Sequence, residues 1–226
     1  VDLPEAAAHH ALRVLRLKVG ANLILFDGRG GEWLAQIVGA DRTVRVALQE
    51  FDDRDPESPL DVTLVQALPS GDKMDWVVEK SVELGVAAIQ PVAAKRSVVK
   101  LPAERMARRV AHWNHIVSAA CEQCGRNRVP QVAPVLDLPQ YLAEARGQNA
   151  LCLLMAPEAG VSLRELERPT GPVVVMVGPE GGWDDSEMRA AEAAGFRSLR
   201  MGPRVLRTET AGAAVLAALQ AVWGDF

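Results

Sequence analysis

The hydrophobic positions of this chain follow two different rhythms. Between residues 21 and 51 they alternate with polar ones. Asn22 to Phe26, Glu32 to Val38 and Thr43 to Phe51 read as short strands, the last with Val44, Val46 and Leu48 at every second place. Asp27-Gly28-Arg29-Gly30-Gly31 supplies the turn between the first two. Short strands joined by glycine turns predict a small barrel or sandwich. Ahead of them, Ala6 to Leu15 reads as a short helix closed by Gly20, with His9, His10, Arg13 and Arg16 interleaved among Leu12, Val14 and Leu15. Adjacent side chains on a helix do not face one site, so His9 and His10 are not read as metal ligands.

From residue 60 onward strands and helices take turns. Asp61 to Leu68, Ala87 to Pro91, Ala150 to Met155 and Val173 to Val177 are strand-like, and the last is an unbroken apolar run of the kind buried on both faces of a parallel sheet. Between them, Lys73 to Leu84 predicts a helix with Asp72 as its cap, Gly85 as its stop and Met74, Val77, Val78 and Val82 as its apolar face. Further helices are expected over Ala103 to Ala120, Leu138 to Ala145, Leu163 to Arg168, the stretch ending at Gly195, and Ala211 to Val222, with a short strand over Phe196 to Met201. That order predicts an α/β domain with a largely parallel sheet. The run Asp52 to Pro59 is charged, holds two prolines and lacks apolar residues, so it reads as a linker. The expected division is 1–51 for the β-rich domain, 52–59 for the linker and 60–226 for the α/β domain.

Two loops of that second domain carry the chemistry. Gly178-Pro179-Glu180-Gly181-Gly182 follows a strand, and its glycines allow positive φ and close approach to a ligand. Gly202-Pro203-Arg204-Val205-Leu206-Arg207-Thr208-Glu209-Thr210 precedes an alanine-rich helix, which needs a cap but not two arginines. Both loops are expected at the carboxyl ends of their strands, where open α/β sheets bind ligands. No lysine follows the glycines at phosphate-loop spacing, and the pattern is not the dinucleotide fingerprint. No nucleophile elbow is present.

Composition narrows the class. The chain is 49% hydrophobic and 24% charged, as expected of a folded domain and not of a disordered one. No apolar run approaches the length of a membrane span. Three cysteines are too few for a disulfide framework and point to a reducing cytoplasm. Cys121 and Cys124 form one C-x-x-C with no second pair, and His112 and His115 lack a third ligand, so no metal is expected. The formal charge of −4 argues against a polyanionic partner, but the cations are segregated. Arg13, Arg16 and Lys18 form one cluster, Lys95, Arg96, Lys100, Arg105, Arg108 and Arg109 a second, and Arg126 and Arg128 a third. A local patch, not the total, decides nucleic-acid binding. The chain starts at Val1 and not Met, and an upstream segment of the first domain is expected.

The motifs VGPEGGWDDSE (177–187) and MGPRVLRTETA (201–211), with GDKMDWVVEKSVELGV (71–86) and ACEQCGRNRVP (120–130), occur in this order. Together they resemble the RsmE family of 16S rRNA methyltransferases, over nearly the whole chain. The resemblance implies a SPOUT-type α/β domain with a C-terminal trefoil knot, preceded by a small PUA-like β-barrel domain that binds RNA. It also implies S-adenosyl-L-methionine as cofactor, a homodimer, and 3-methyluridine at position 1498 of 16S rRNA in the small ribosomal subunit as product. Carried over motif by motif, the cofactor pocket falls on Val177, Gly178, Glu180, Gly181 and Gly182, on Met201, Gly202, Val205, Leu206 and Thr210, and on Leu154 of the preceding strand. The RNA side is expected to use Arg13, Arg16, Lys73, Arg96 and Arg126. Trp183 stands where the family carries various, often apolar, residues.

Uridine N3–H is a weakly acidic imide, and N3 is a poor nucleophile until the proton leaves. A cation beside O2 or O4 would stabilise the imidate as charge develops. Arg204 or Arg207 is expected to do this, helped by Arg126, with Glu209 either orienting an arginine or accepting the proton. The competing reading is a non-catalytic RNA-binding or ribosome-assembly protein on the same fold. A related SPOUT enzyme acting on tRNA is disfavoured by the 120–130 motif and the N-terminal domain.

Overall fold

A computed structural model describes residues 1–97, 102–147, 149–157 and 161–226. Lys100, one of the expected basic cluster, lies outside them. The chain divides into two compact units, one comprising Val1–Pro56 with Gly125–Val129 and the other Glu57–Cys124 with Pro130–Phe226.

In the first unit, β1 (Asn22–Leu25), β2 (Glu32–Ala40) and β3 (Val44–Asp52) form an antiparallel sheet in that order. The period-two pattern places Ala35, Ile37, Val44 and Val46 on the buried face, where Leu3, Ala8, Leu12, Leu17, Leu23 and Leu25 close over them. The expected single helix over 6–15 is shorter. Helix α1 (Glu5–His9) passes into a π-helical turn, His10–Val14, closed by Leu15 N–H donating to His10 O at 2.9 Å. That wider turn ends at Arg16, a non-glycine residue at φ 55°. Segment 125–129 joins the turn after β1. Val129 N–H donates to Gly28 O, and the Arg128 guanidinium binds Asp55 and the Arg29 carbonyl.

The second unit is built on strands that are parallel throughout. They are β4 (Val62–Ala67), β5 (Ala88–Ala93), β6 (Gln131–Val132), β7 (Leu136–Asp137), β8 (Leu151–Met155), β9 (Val173–Val177) and β10 (Arg197–Leu199). Their spatial order is β10-β8-β9-β4-β5-β6, with β7 also beside β5. The two-residue strands β6 and β7 are too short to show a period, which is why the sequence pattern does not reveal them. All five residues of β9 are buried, as its β-branched run requires. Val174 and Met176 face a cluster completed by Leu138 and Leu142 of α4 (Leu138–Ala145), Ala191 of α5 (Asp185–Ala193), and Trp183. The opposite face meets α6 (Thr208–Trp223), which packs on α2 (Lys73–Glu83), and α2 packs on α3 (Ala103–Cys124).

Two helix starts differ from expectation. Asp72 precedes α2 but makes no side-chain cap hydrogen bond. Helix α6 starts at Thr208, three residues earlier than its alanines suggest, so Thr208, Glu209 and Thr210 form its first turn and not a loop. Near its other end Ser58 Oγ donates to Gln220 Oε1 at 2.7 Å, and Gln220 Nε2 donates to Leu84 O at 3.0 Å, so one buried amide ties α6 to the chain on both sides of α2.

Leu64 sits at the centre of β4, fully buried and paired with strands on both sides. Leu64→Ala should cost about 2–5 kcal/mol through lost burial and the cavity left behind. A urea-unfolding midpoint shifted by less than a quarter of that would show that the sheet centre collapses around the gap.

Candidate functional site

Strand order places the site. Because β10 lies beyond β8, the connection from β9 through α5 crosses β8, and the chain must then return from the sheet edge to start α6 against β4 and β9. The crossing is consistent with the knot that the resemblance implies. Three strand exits therefore converge: 155–157 after β8, 177–183 after β9, and 199–208 after β10. They enclose a cavity of about 510 Å³ lined by Met155, Val177, Gly178, Trp183, Leu199 and Leu206, among others. That volume is within the roughly 300–1,000 Å³ of small-molecule sites. A larger open groove of about 1270 Å³ runs past Met106, Val110, Val135 and Leu142, away from both loops.

Close packing explains the glycine loop better than unusual backbone angles do. A Cβ on Gly178 would stand 3.2 Å from the Trp183 indole, and Trp183 is itself buried. Of the three glycines expected to use positive φ, only Gly182 does, at 67°. Helix α5 begins with a capping box in which Asp184 accepts from Ser186 N–H and Glu187 accepts from Asp184 N–H.

Cations from the start of α2 and the turn after β5 grip the glycine loop at two points. Glu180 Oε1 accepts from Lys73 Nζ at 2.7 Å and from Ser70 N–H and Oγ at 3.0 and 2.6 Å. Arg96 Nη1 donates to Gly181 O at 2.9 Å, while Lys95 Nζ reaches Asp184 and Ser186. Burial pushes the Glu180 carboxyl up, but the hydrogen bonds from Lys73 and Ser70 outweigh it and hold it down to about 2. Lys73 also lies 3.9 Å from Glu209, whose Oε2 is buried without a hydrogen-bond partner.

The cavity gathers most of the expected cofactor residues: Val177, Gly178, Glu180 and Gly182 from the first loop, and Met201, Gly202, Val205 and Leu206 from the second. Gly181 is outside the lining, and its carbonyl accepts from Arg96. Leu154 is placed in the core, and its neighbour Met155 lines the cavity. Thr210 is exposed on α6, outside the lining. Arg204 and Arg207 line the cavity, are exposed, and form no side-chain hydrogen bond or ion pair among the described residues. Glu209 stands towards Lys73 and not towards either arginine. Arg13 and Arg16 are exposed in the first unit, and Arg126 is buried there. Sequence reasoning missed Gln66, buried at the end of β4, whose amide donates to Thr208 Oγ1 at 2.9 Å. A lone polar residue in an otherwise apolar strand was the available signal.

Comparison with known proteins agrees with this arrangement. Residues 56–220 match the model of the RNA methyltransferase domain, and residues 3–46 that of the RNA methyltransferase PUA domain. The ribosomal RNA small subunit methyltransferase E of Synechocystis is 35% identical, with 98% of this chain and 73% of that protein covered. The chain belongs to the ribosomal RNA small subunit methyltransferase E family.

Two solved structures make the likeness spatial. The Neisseria gonorrhoeae enzyme, solved bound to S-adenosyl methionine, is 43% identical with a TM-score of 0.94, covering 100% of this chain and 93% of that one. A Legionella pneumophila methyltransferase, solved with the same cofactor, is 38% identical with a TM-score of 0.95 and the same coverage. No helix here is long and apolar enough to cross a membrane, and no cluster of metal-ligating side chains occurs among the described residues.

The Glu180 clamp has a defined pH dependence. Its folded value lies below the ordinary 4.5, so its contribution to stability is fully present above pH 4.5 and fades as pH falls towards about 2. In Lys73→Met the Glu180 carboxyl, followed by carbon NMR, should titrate nearer 4.5. An unmoved titration would place the cause elsewhere.

Proposed function

We propose that this chain transfers a methyl group from S-adenosyl-L-methionine to N3 of one uridine, position 1498, in the 16S rRNA of the small ribosomal subunit, acting as a cytoplasmic homodimer. The carrying observation is the cavity at the exits of β8, β9 and β10, rimmed by Arg204 and Arg207, in a chain whose relatives were solved with that cofactor. The homodimer, the uridine position and the compartment rest on the family resemblance.

The residues present fit the cofactor. The stretches 177–182 and 201–206 border the cavity and bring backbone donors and acceptors for adenosine edges, and Met155, Leu199 and Leu206 offer apolar surface to a flat base. When bound, S-adenosylmethionine supplies an electrophilic methyl group on its sulfonium. The chain's own part is to seat the uracil and to stabilise its anion. A guanidinium is charged at every physiological pH, and neither Arg204 nor Arg207 is committed to a carboxylate. Each can therefore place donors against O2 or O4 as N3 loses its proton. Glu209, facing Lys73, is assigned to balance that ammonium. Arg126 enters through the 120–130 motif alone. Lys73 and Arg96 serve the glycine loop first and meet RNA only with the donors they have left, while Arg13 and Arg16 present free charge from the first unit.

Arg204→Ala should lower methyl transfer by roughly 100-fold or more, the scale of losing a preorganised anion donor. Cofactor affinity should be nearly unchanged. The assay is transfer of labelled methyl to small subunits lacking the modification, with the site mapped by reverse transcription. N3-methylation blocks the pairing edge, so a single new stop at the named uridine is expected. A stop elsewhere would refute the substrate, and an active variant would refute the role of Arg204.

A further inference from the structure

Gln66 is an anomaly in β4. The strand reads Val62-Thr63-Leu64-Val65-Gln66-Ala67, and the Gln66 side chain is fully buried. A buried amide costs stability unless its groups are bonded, so its contacts show what it is for. Gln66 Nε2 donates to the carbonyl of Ala67 at 2.9 Å and to Thr208 Oγ1 at 2.9 Å. Thr208, also buried, donates its single hydroxyl proton to Gly178 O at 2.6 Å. Proton direction is thereby set along the whole chain, from amide to hydroxyl to carbonyl. The opposite amide orientation would leave Thr208 without a donor at 2.9 Å, so the relay itself selects this one. Gln66 Oε1 is buried and unpartnered, a cost borne in this orientation.

Two members line the cavity, and the third belongs to the strand beside them. Gly178 opens the glycine loop. Thr208 is the first residue of α6 and directly follows Arg207. Gln66 stands on the rigid sheet between them. Pro179 has no N–H, so the 178–179 peptide can be oriented only through its carbonyl. Resting on the function proposed above, we infer that Gln66 and Thr208 are positioning residues: their relay, with Thr208 on the cavity lining and Gln66 outside it, locks the glycine loop and the arginine-bearing return loop into one register and so shapes the cofactor site.

Thr208→Val keeps shape and removes the hydroxyl, leaving the Gly178 carbonyl and a Gln66 N–H unpaired. Calorimetric affinity for S-adenosylmethionine should fall on the order of tenfold or more, the scale of one buried group left unbonded. Thr208→Ser, which restores the hydroxyl, should recover affinity to within about threefold. Gln66→Met should weaken binding, and adding it to Thr208→Val should cost little more, because members of one network are not additive. Amide hydrogen exchange in residues 180–183 of the free protein should rise in Thr208→Val, and this reads the relay without cofactor. Unchanged exchange, or a Thr208→Ser variant as weak as Thr208→Val, overturns the inference. Should Thr208→Val not fold, Gln66→Met decides, and parental affinity in it overturns the relay. A parent chain that binds no S-adenosylmethionine overturns the proposed function instead, and the exchange comparison still judges the relay.

Discussion

Burial of β9 on both faces is the constraint from which the site follows. A five-residue strand with no exposed side chain needs neighbours on each side and helices above and below. With β8 and β4 occupying its flanks, the chain that leaves it joins the sheet beyond β8, and then it has to come back. The return passes over the carboxyl ends of the strands, because α6 must cover β4 and β9. Two loops that are separate in sequence thereby close one cavity. No active-site residue determines that path. The path covers the apolar strands, and the loops that line the cavity are seated on it.

Electrostatics then act on the loops and not on the core. Lys73 and Arg96 read in sequence as cations awaiting a polyanion, yet each holds one point of the glycine loop. Single exposed ion pairs contribute little. Here one loop of five residues receives a carboxylate clamp and a carbonyl clamp, and its helix starts from a capping box, so the restraints fall on the same few dihedral angles. Lost loop entropy is met before a ligand arrives, which is how preorganisation raises affinity. By contrast, Arg204 and Arg207 at the cavity rim form no side-chain hydrogen bond or ion pair among the described residues.

What could be read from sequence was whatever a local period or a run of named residues records. The parallel sheet, the apolar stripe Met74-Val77-Val78-Val82, helix α4 and the buried run of β9 all have such a record. Both loops were legible because their glycines and arginines have no duty in a plain turn. The start of α6 was not, since Thr208-Glu209-Thr210 lacks the alanines that mark the rest, and only packing against β4 extends the helix back. The π-helical turn at His10–Val14 leaves no periodic trace either. Glu209 was read as orienting an arginine or accepting the proton; its ion-pair neighbour is Lys73, contributed by a helix that lies 136 positions earlier in the chain, and no window of sequence contains both.

The same distance governs how the site comes into being. Gln66 and Thr208 are 142 positions apart, Ser70 and Glu180 are 110, and Arg96 and Gly181 are 85. Contacts of such separation pay loop-closure entropy before they return anything, so they form late. The glycine loop and the start of α6 are held by them. The Gly178 carbonyl gains its hydrogen bond only where α6 has docked and brought Thr208 against it. A ligand of this cavity selects the completed fold over every partly folded form and stabilises it by mass action. In this architecture, cofactor affinity measures completion of the chain's final crossing as much as the loop residues that touch the ligand.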